Sequence, residues 1–146
     1  MRRWQALTAT KEFYTAFNRE SLGAAVASSA MTWVPAYSRV SGDLPLDAMP
    51  AFKGNKDAAL ISAVRFQVEV TTAGKVRLAW NDKAALTIWI DGTPTDVSGN
   101  SIDVELPAGN HSVTVAIAVA DRTAPLRMEL QDVPGSPVRA RVLGGK

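Results

Sequence analysis

From Ala63 onward, apolar and polar side chains alternate in short runs. The segment AVRFQVEV sets Val64, Phe66, Val68 and Val70 against Arg65, Gln67 and Glu69. The same rhythm returns in KVRLAW (Val76, Leu78, Trp80), LTIWI (Leu86, Ile88, Ile90) and SIDVEL (Ile102, Val104, Leu106). It continues in HSVTVAIAVA (Val113, Val115, Ile117, Val119), LRMELQ (Leu126, Met128, Leu130) and PVRARV (Val138, Val142). Successive side chains of a strand point to opposite faces, so a sustained period of two predicts strands with one apolar and one polar face. The separators TTAG, NDKA, DGTPTDVSGN, PAGN, DRTAP and VPGSP are turn material. Short strands at this spacing, with no helix between them, predict a mostly β fold of the antiparallel β-sandwich or barrel type.

The beginning of the chain follows another period. Phe13 and Phe17 are four residues apart, as are Leu22 and Val26, which predicts one or two short N-terminal helices with an apolar stripe. Asn18 is placed to cap the second. The expected division is a helical cover segment over residues 1–30 and a sandwich domain over 31–146. Between them, TWVPAYSRVSGDLPLDAMPAF reads as an irregular connector with one edge strand around Thr32–Arg39.

Composition narrows the function classes. A chain of 146 residues with 47% apolar and 21% charged side chains is the size and make-up of one globular domain. The absence of cysteine excludes disulfides, thiol nucleophiles, cysteine-ligated zinc and covalently attached c-type haem. Its 16 basic and 14 acidic groups are dispersed without a basic stripe, so no nucleic-acid partner is expected. No stretch approaches the length of an apolar bilayer span. The opening MRRWQALTATKEF has two arginines but no apolar stretch after them, so it does not read as a signal peptide.

The order of three segments carries a resemblance. AWNDKAALTIWIDGTPTDV, then IDVELPAGNHSVTVAIAVA, then APLRMELQDVPGSP resemble PA14-like and related carbohydrate-binding β-sandwich domains. The matching features are Asp91-Gly92 at a strand end, the turn Leu106-Pro107-Ala108-Gly109-Asn110-His111 before a long apolar strand, and the closing Leu126–Leu130. WVPAYSRVSGDLPLD and VPGSPVRARVLGGK are similar to the C-terminal domain of large planctomycete-type c-type cytochrome and dehydrogenase-like proteins. The resemblance covers residues 31–146. It implies a jelly-roll sandwich serving as an accessory module of a longer exported chain, periplasmic or extracellular. The partners it implies are other domains of that chain and a glycan or other extracellular polymer. Calcium-binding members carry a paired Asp-Asp before the Asp-Gly strand; here the place reads Asn81-Asp82, with a longer spacing to Asp91, so neither calcium nor another cofactor is expected. The haem attachment motif of the cytochrome-type proteins is absent, and no redox role carries over.

Candidate site residues follow. Trp89 lies opposite Leu86, Ile88 and Ile90, where it either stacks on a sugar ring or packs under another segment. Asn81, Asp82, Asp91 and Asp96 supply loop oxygens, either for a ligand or for plain turn chemistry; Asp103 lies near them in sequence. Ser112, Thr114, Ala116 and Ala118 form a small-residue row, read as a groove floor or as a seat for the Phe13/Phe17 helix. His111, the only histidine, reads as a turn residue. No catalytic constellation stands out, so the chain is not expected to be an enzyme. The leading expectation is a non-catalytic accessory module that binds carbohydrate through Trp89 and the loops. The alternative is a structural or interdomain docking domain without a small ligand, using the small-residue row with Arg127, Arg139 and Arg141.

Overall fold

The longest pairing joins β3 (Ile61–Thr72) to β8 (Gly109–Ala118), with Val64 opposite Val115 and Phe66 opposite Val113. In the computed structural model, which describes residues 3–8, 32–52 and 60–144, eight further strands surround this pair. They are β1 (Arg3–Thr8), β2 (Thr32–Tyr37), β4 (Gly74–Trp80), β5 (Leu86–Ile90), β6 (Thr93–Pro94), β7 (Ser101–Leu106), β9 (Met128–Asp132) and β10 (Arg139–Gly144). The larger sheet runs β2-β1-β3-β8-β5-β6, with β10 also on β3; the smaller runs β7-β4-β9. Every pairing is antiparallel. The fold is therefore a mostly β antiparallel sandwich. Among the described residues, helical structure is limited to two single 3-10 turns, Leu46–Ala48 and Val119–Asp121. None of these residues forms a helix long and apolar enough to cross a membrane.

The alternating side chains close the two sheets on each other. Val64, Leu78, Ile88 and Val115 are all at most 2% exposed. They share one core with Phe66, Trp80, Leu126 and Met128. Burying such side chains is the main favourable term of the fold. The connector 38–52 contributes Leu44, Met49 and Phe52 to the buried set and is pinned by bridges from Leu44 to Leu126 and from Phe52 to Ile61.

The sandwich also takes up residues read as part of the leading segment. Arg3–Thr8 form β1, with Trp4 edge-on to Phe66 at 5.3 Å between centroids and its indole N–H bonded to Ser38 Oγ at 2.9 Å. β1 pairs with β2 and with the first half of β3, while β10 takes the second half of the same edge. The proposed helices around Phe13, Phe17, Leu22 and Val26 lie outside the described residues.

Two turns require special backbone. Asp91 (φ 51°) and Gly92 (φ 81°) make the tight β5–β6 hairpin, where two positive φ angles match the twist of the strands. Gly74 opens β4 where a Cβ would lie 2.9 Å from the Val138 backbone nitrogen and 3.0 Å from Ser136 Oγ. That hydroxyl accepts from the Lys75 N–H at 2.9 Å, so it is not free to move away. Gly74→Ala is expected to lose about 1–3 kcal/mol by overpacking, read as a lower urea midpoint. An unchanged midpoint contradicts this close approach of the 133–138 loop.

Candidate functional site

The proposed site residues sit at the ends of strands, and β5 divides them. Asn81 and Asp82 precede it and Asp91 follows it, so these groups are separated by a strand of five residues, about 17 Å. Asp96 lies in the next loop and Trp89 within the strand itself.

Each oxygen donor is bonded within the protein. Asn81 Oδ1 accepts from the Arg127 N–H (3.0 Å) and from Arg122 Nη2 (3.2 Å), and its amide donates to the Pro125 carbonyl (2.9 Å). Asp82 Oδ1 accepts from the Ala84 N–H at 2.9 Å, closing a turn. Asp96 accepts from both the N–H and the hydroxyl of Ser98, at 2.9 and 3.0 Å. Asp91 accepts from the Ser112 N–H at 2.8 Å and holds His111 Nδ1 at 2.6 Å. Asp103 makes a two-point pair with Arg77, at 2.7 and 3.0 Å, on the exposed face of the small sheet. The Arg77 hydrogen bond holds the Asp103 carboxyl below the usual range.

Trp89 keeps the face expected of it. It pairs with Thr114 and stays outside the inter-sheet core, yet it is only 6% exposed. A ring that stacks on a sugar needs an open face, so Trp89 is a packing residue in this structure. Thr114 and Ala116 of the small-residue row are buried, and Ser112 and Ala118 half-buried. Residues 13 and 17, proposed to sit there, lie outside the described residues. Among the three arginines proposed for docking, Arg127 pairs with Asp43 (2.9 Å) and Arg141 with Glu69, whereas Arg139 is exposed on β10.

Arg122, which no pattern in the sequence singles out, organises the Asn81–Asp82 end. It is only 4% exposed. Its Nε donates to the Ala124 carbonyl (2.9 Å); Nη1 donates to those of Asp82 (2.6 Å) and Ala84 (2.9 Å); Nη2 donates to Asn81 Oδ1 and the Pro125 carbonyl (2.9 Å). Burial lowers its pKa, partly offset by the Asp82 charge. In the DRTAP turn nothing distinguishes this arginine from a solvated one, because three of its acceptors, on Asn81, Asp82 and Ala84, are about forty residues away in the chain.

No protein-family model, curated protein or solved structure matches this chain. Among the described residues, no three His, Asp or Glu side chains converge as a metal would require. The geometry described is that of turns and inter-strand ties, with polar groups that already have partners.

At the other end of β5, His111 ties three segments together. Its ring is 7% exposed, with Nδ1 2.6 Å from Asp91 Oδ2 and Nε2 2.7 Å from the Pro107 carbonyl. Both partners are acceptors, so an imidazolium donating from both nitrogens satisfies the site. Burial opposes that charge, but the Asp91 hydrogen bond, the Pro107 carbonyl and the Asp91 charge outweigh it and raise the pKa. A raised folded-state pKa adds stability that is complete below the unfolded value, about 6.5, and is lost as pH rises through the folded value. The urea midpoint is therefore expected to fall above pH 6.5 in step with a His111 NMR titration, and His111→Asn should remove the step. A His111 titration at or below the free-histidine value contradicts the doubly bonded imidazolium.

Proposed function

We propose that this chain is a non-catalytic β-sandwich module whose role is structural docking within a larger assembly, in preference to a sugar-binding rim. The observation that carries this reading is the engagement of every rim group put forward as a ligand contact. Asn81, Asp82, Asp91 and Asp96 spend their oxygens on loop and strand ends, and Trp89 is buried. A binding rim needs convergent polar groups with free valences around an open surface. This rim has its groups dispersed along β5 and paired.

A further feature supports the reading. The motif order that resembles PA14-like accessory domains fits a module carried in a longer exported chain, periplasmic or extracellular, where neighbouring domains are the natural partners.

Hydrogen exchange tests this directly, comparing the 146-residue chain alone with the product of its natural reading frame. Docking predicts slower exchange along one exposed edge or face of the sandwich in the natural product. It also predicts that Trp89→Ala lowers stability without changing any signal on a glycan array. Identical exchange in the two proteins, or a glycan signal that disappears with Trp89→Ala or Asp96→Ala, contradicts the docking reading.

A further inference from the structure

The small sheet ends on one side at β7, which pairs with β4 and with no other described strand. Its register on β4 runs unbroken from Ser101 opposite Ala79 to Leu106 opposite Gly74. The Trp80 N–H donates to the Asn100 carbonyl at 2.9 Å, whereas the next N–H, that of Asn81, turns the other way to Arg127. Bonds to one neighbour alternate along an antiparallel strand. Ile102, Val104 and Leu106 therefore bond to β4, and the N–H and C=O groups of Ser101, Asp103 and Glu105 point out of the sheet. Among the described residues, no hydrogen bond reaches those outward backbone groups.

The other sheet edges are blunted. β2 carries Pro35 and β6 carries Pro94, and a proline has no N–H to offer. β10 is interrupted by register shifts against β3. The edge of β9 is bridged just before its start, where Leu44 and Leu126 exchange backbone bonds of 2.7 and 2.9 Å. Among the described edge strands, β7 alone has neither proline, register shift nor bridge. Such an edge is a template for another strand.

The side chains of β7 specify what that strand must carry. Ile102 and Val104 are half-buried against the core, so apolar residues opposite them extend it. Ser101, Asp103 and Glu105 are exposed on the other face. Asp103 is paired across the sheet with Arg77, and Glu105 has no ion-pair partner among the described residues. A second copy of β7 does not fit. Its two longest face-matched antiparallel registers set Asp103 against Asp103 or against Glu105, and like charges directly opposite destabilise a pair. A strand with basic residues at alternate positions fits both faces.

We propose that the outer edge of β7 is a strand-docking site for an extended protein segment in which basic and apolar residues alternate. Backbone bonds to Ser101, Asp103 and Glu105 supply affinity. The basic side chains lie opposite Asp103 and Glu105, the apolar ones opposite Ile102 and Val104. This rests on the docking reading and names the edge and the partner chemistry it uses.

Amide exchange followed by NMR tests it on the 146-residue chain. The probe is an alternating Lys-Val peptide, with alternating Glu-Val and proline-interrupted Lys-Val peptides as controls. At a Lys-Val concentration about ten times its Kd, the Ser101, Asp103 and Glu105 amides should exchange about tenfold more slowly. Those of Ile102 and Val104, already bonded to β4, should change little. Glu105→Pro removes an outward N–H without breaking a bond to β4, so the sheet is kept and the protection is lost. Glu105→Lys should weaken Lys-Val binding by about tenfold, as an attractive cross-strand pair becomes repulsive. That variant is readable even if the proline variant is unstable. The site is overturned by no protection at the three amides, by equal protection from either control peptide, by protection of another edge instead, or by protection that survives both substitutions. The docking reading fails separately, through identical exchange in this chain and its natural product.

Discussion

A guanidinium taken out of water has to be saturated with acceptors, and the way Arg122 meets that demand sets the geometry of one end of this sandwich. The 81–85 loop carries the chain from the small sheet to the large one, between β4 and β5. The 119–127 segment carries it back, between β8 and β9. Arg122 lies on the second crossover and donates to Asn81, Asp82 and Ala84 of the first, as well as to Ala124 and Pro125 of its own. Both crossovers are thereby tied to one planar group. The apolar core decides that two sheets face each other, and this polar knot decides how the chain passes between them.

The knot also accounts for how the loop oxygens are engaged. Asn81 is needed as a bridge between Arg122, Pro125 and the Arg127 N–H, so both its amide oxygen and its amide nitrogen are engaged. Asp82 contributes its carbonyl to the knot and its carboxylate to the turn at Ala84. Across β5, Asp91 and His111 perform a comparable service, linking the β5–β6 hairpin to the start of β8 and to Pro107. Polar groups paired in this way rigidify a fold.

What the sequence discloses and what it withholds follow one physical division. The period of two fixes which side chains face inward, and it places β3, β4, β5, β7, β8, β9 and β10 because each has one clearly apolar face. β1 escapes that reading because Ala6 and Leu7 are both buried, on opposite faces, which erases the alternation in RWQALT. The face of Trp89 was legible from its neighbours in LTIWI; its exposure was not, since coverage depends on packing across the outer face of the sheet. Arg122 was invisible for a related reason. An arginine in a turn looks solvated until distant carbonyls gather around it. His111 and Asp91 were each noticed, but their contact depends on the alignment of β5 with β8, which the pattern of residue types does not encode.

The claim that polar ties, rather than a ligand, account for this rim is tested most directly on Arg122. Arg122→Met keeps an unbranched apolar stem and removes every donor, leaving the carbonyls of Asp82, Ala84 and Pro125 without this partner. Urea unfolding should show a loss of about 3–5 kcal/mol, because each buried carbonyl that loses its donor costs about 1–3 kcal/mol. A variant within about 0.5 kcal/mol of the native protein, the range of an ordinary surface substitution, would contradict the account.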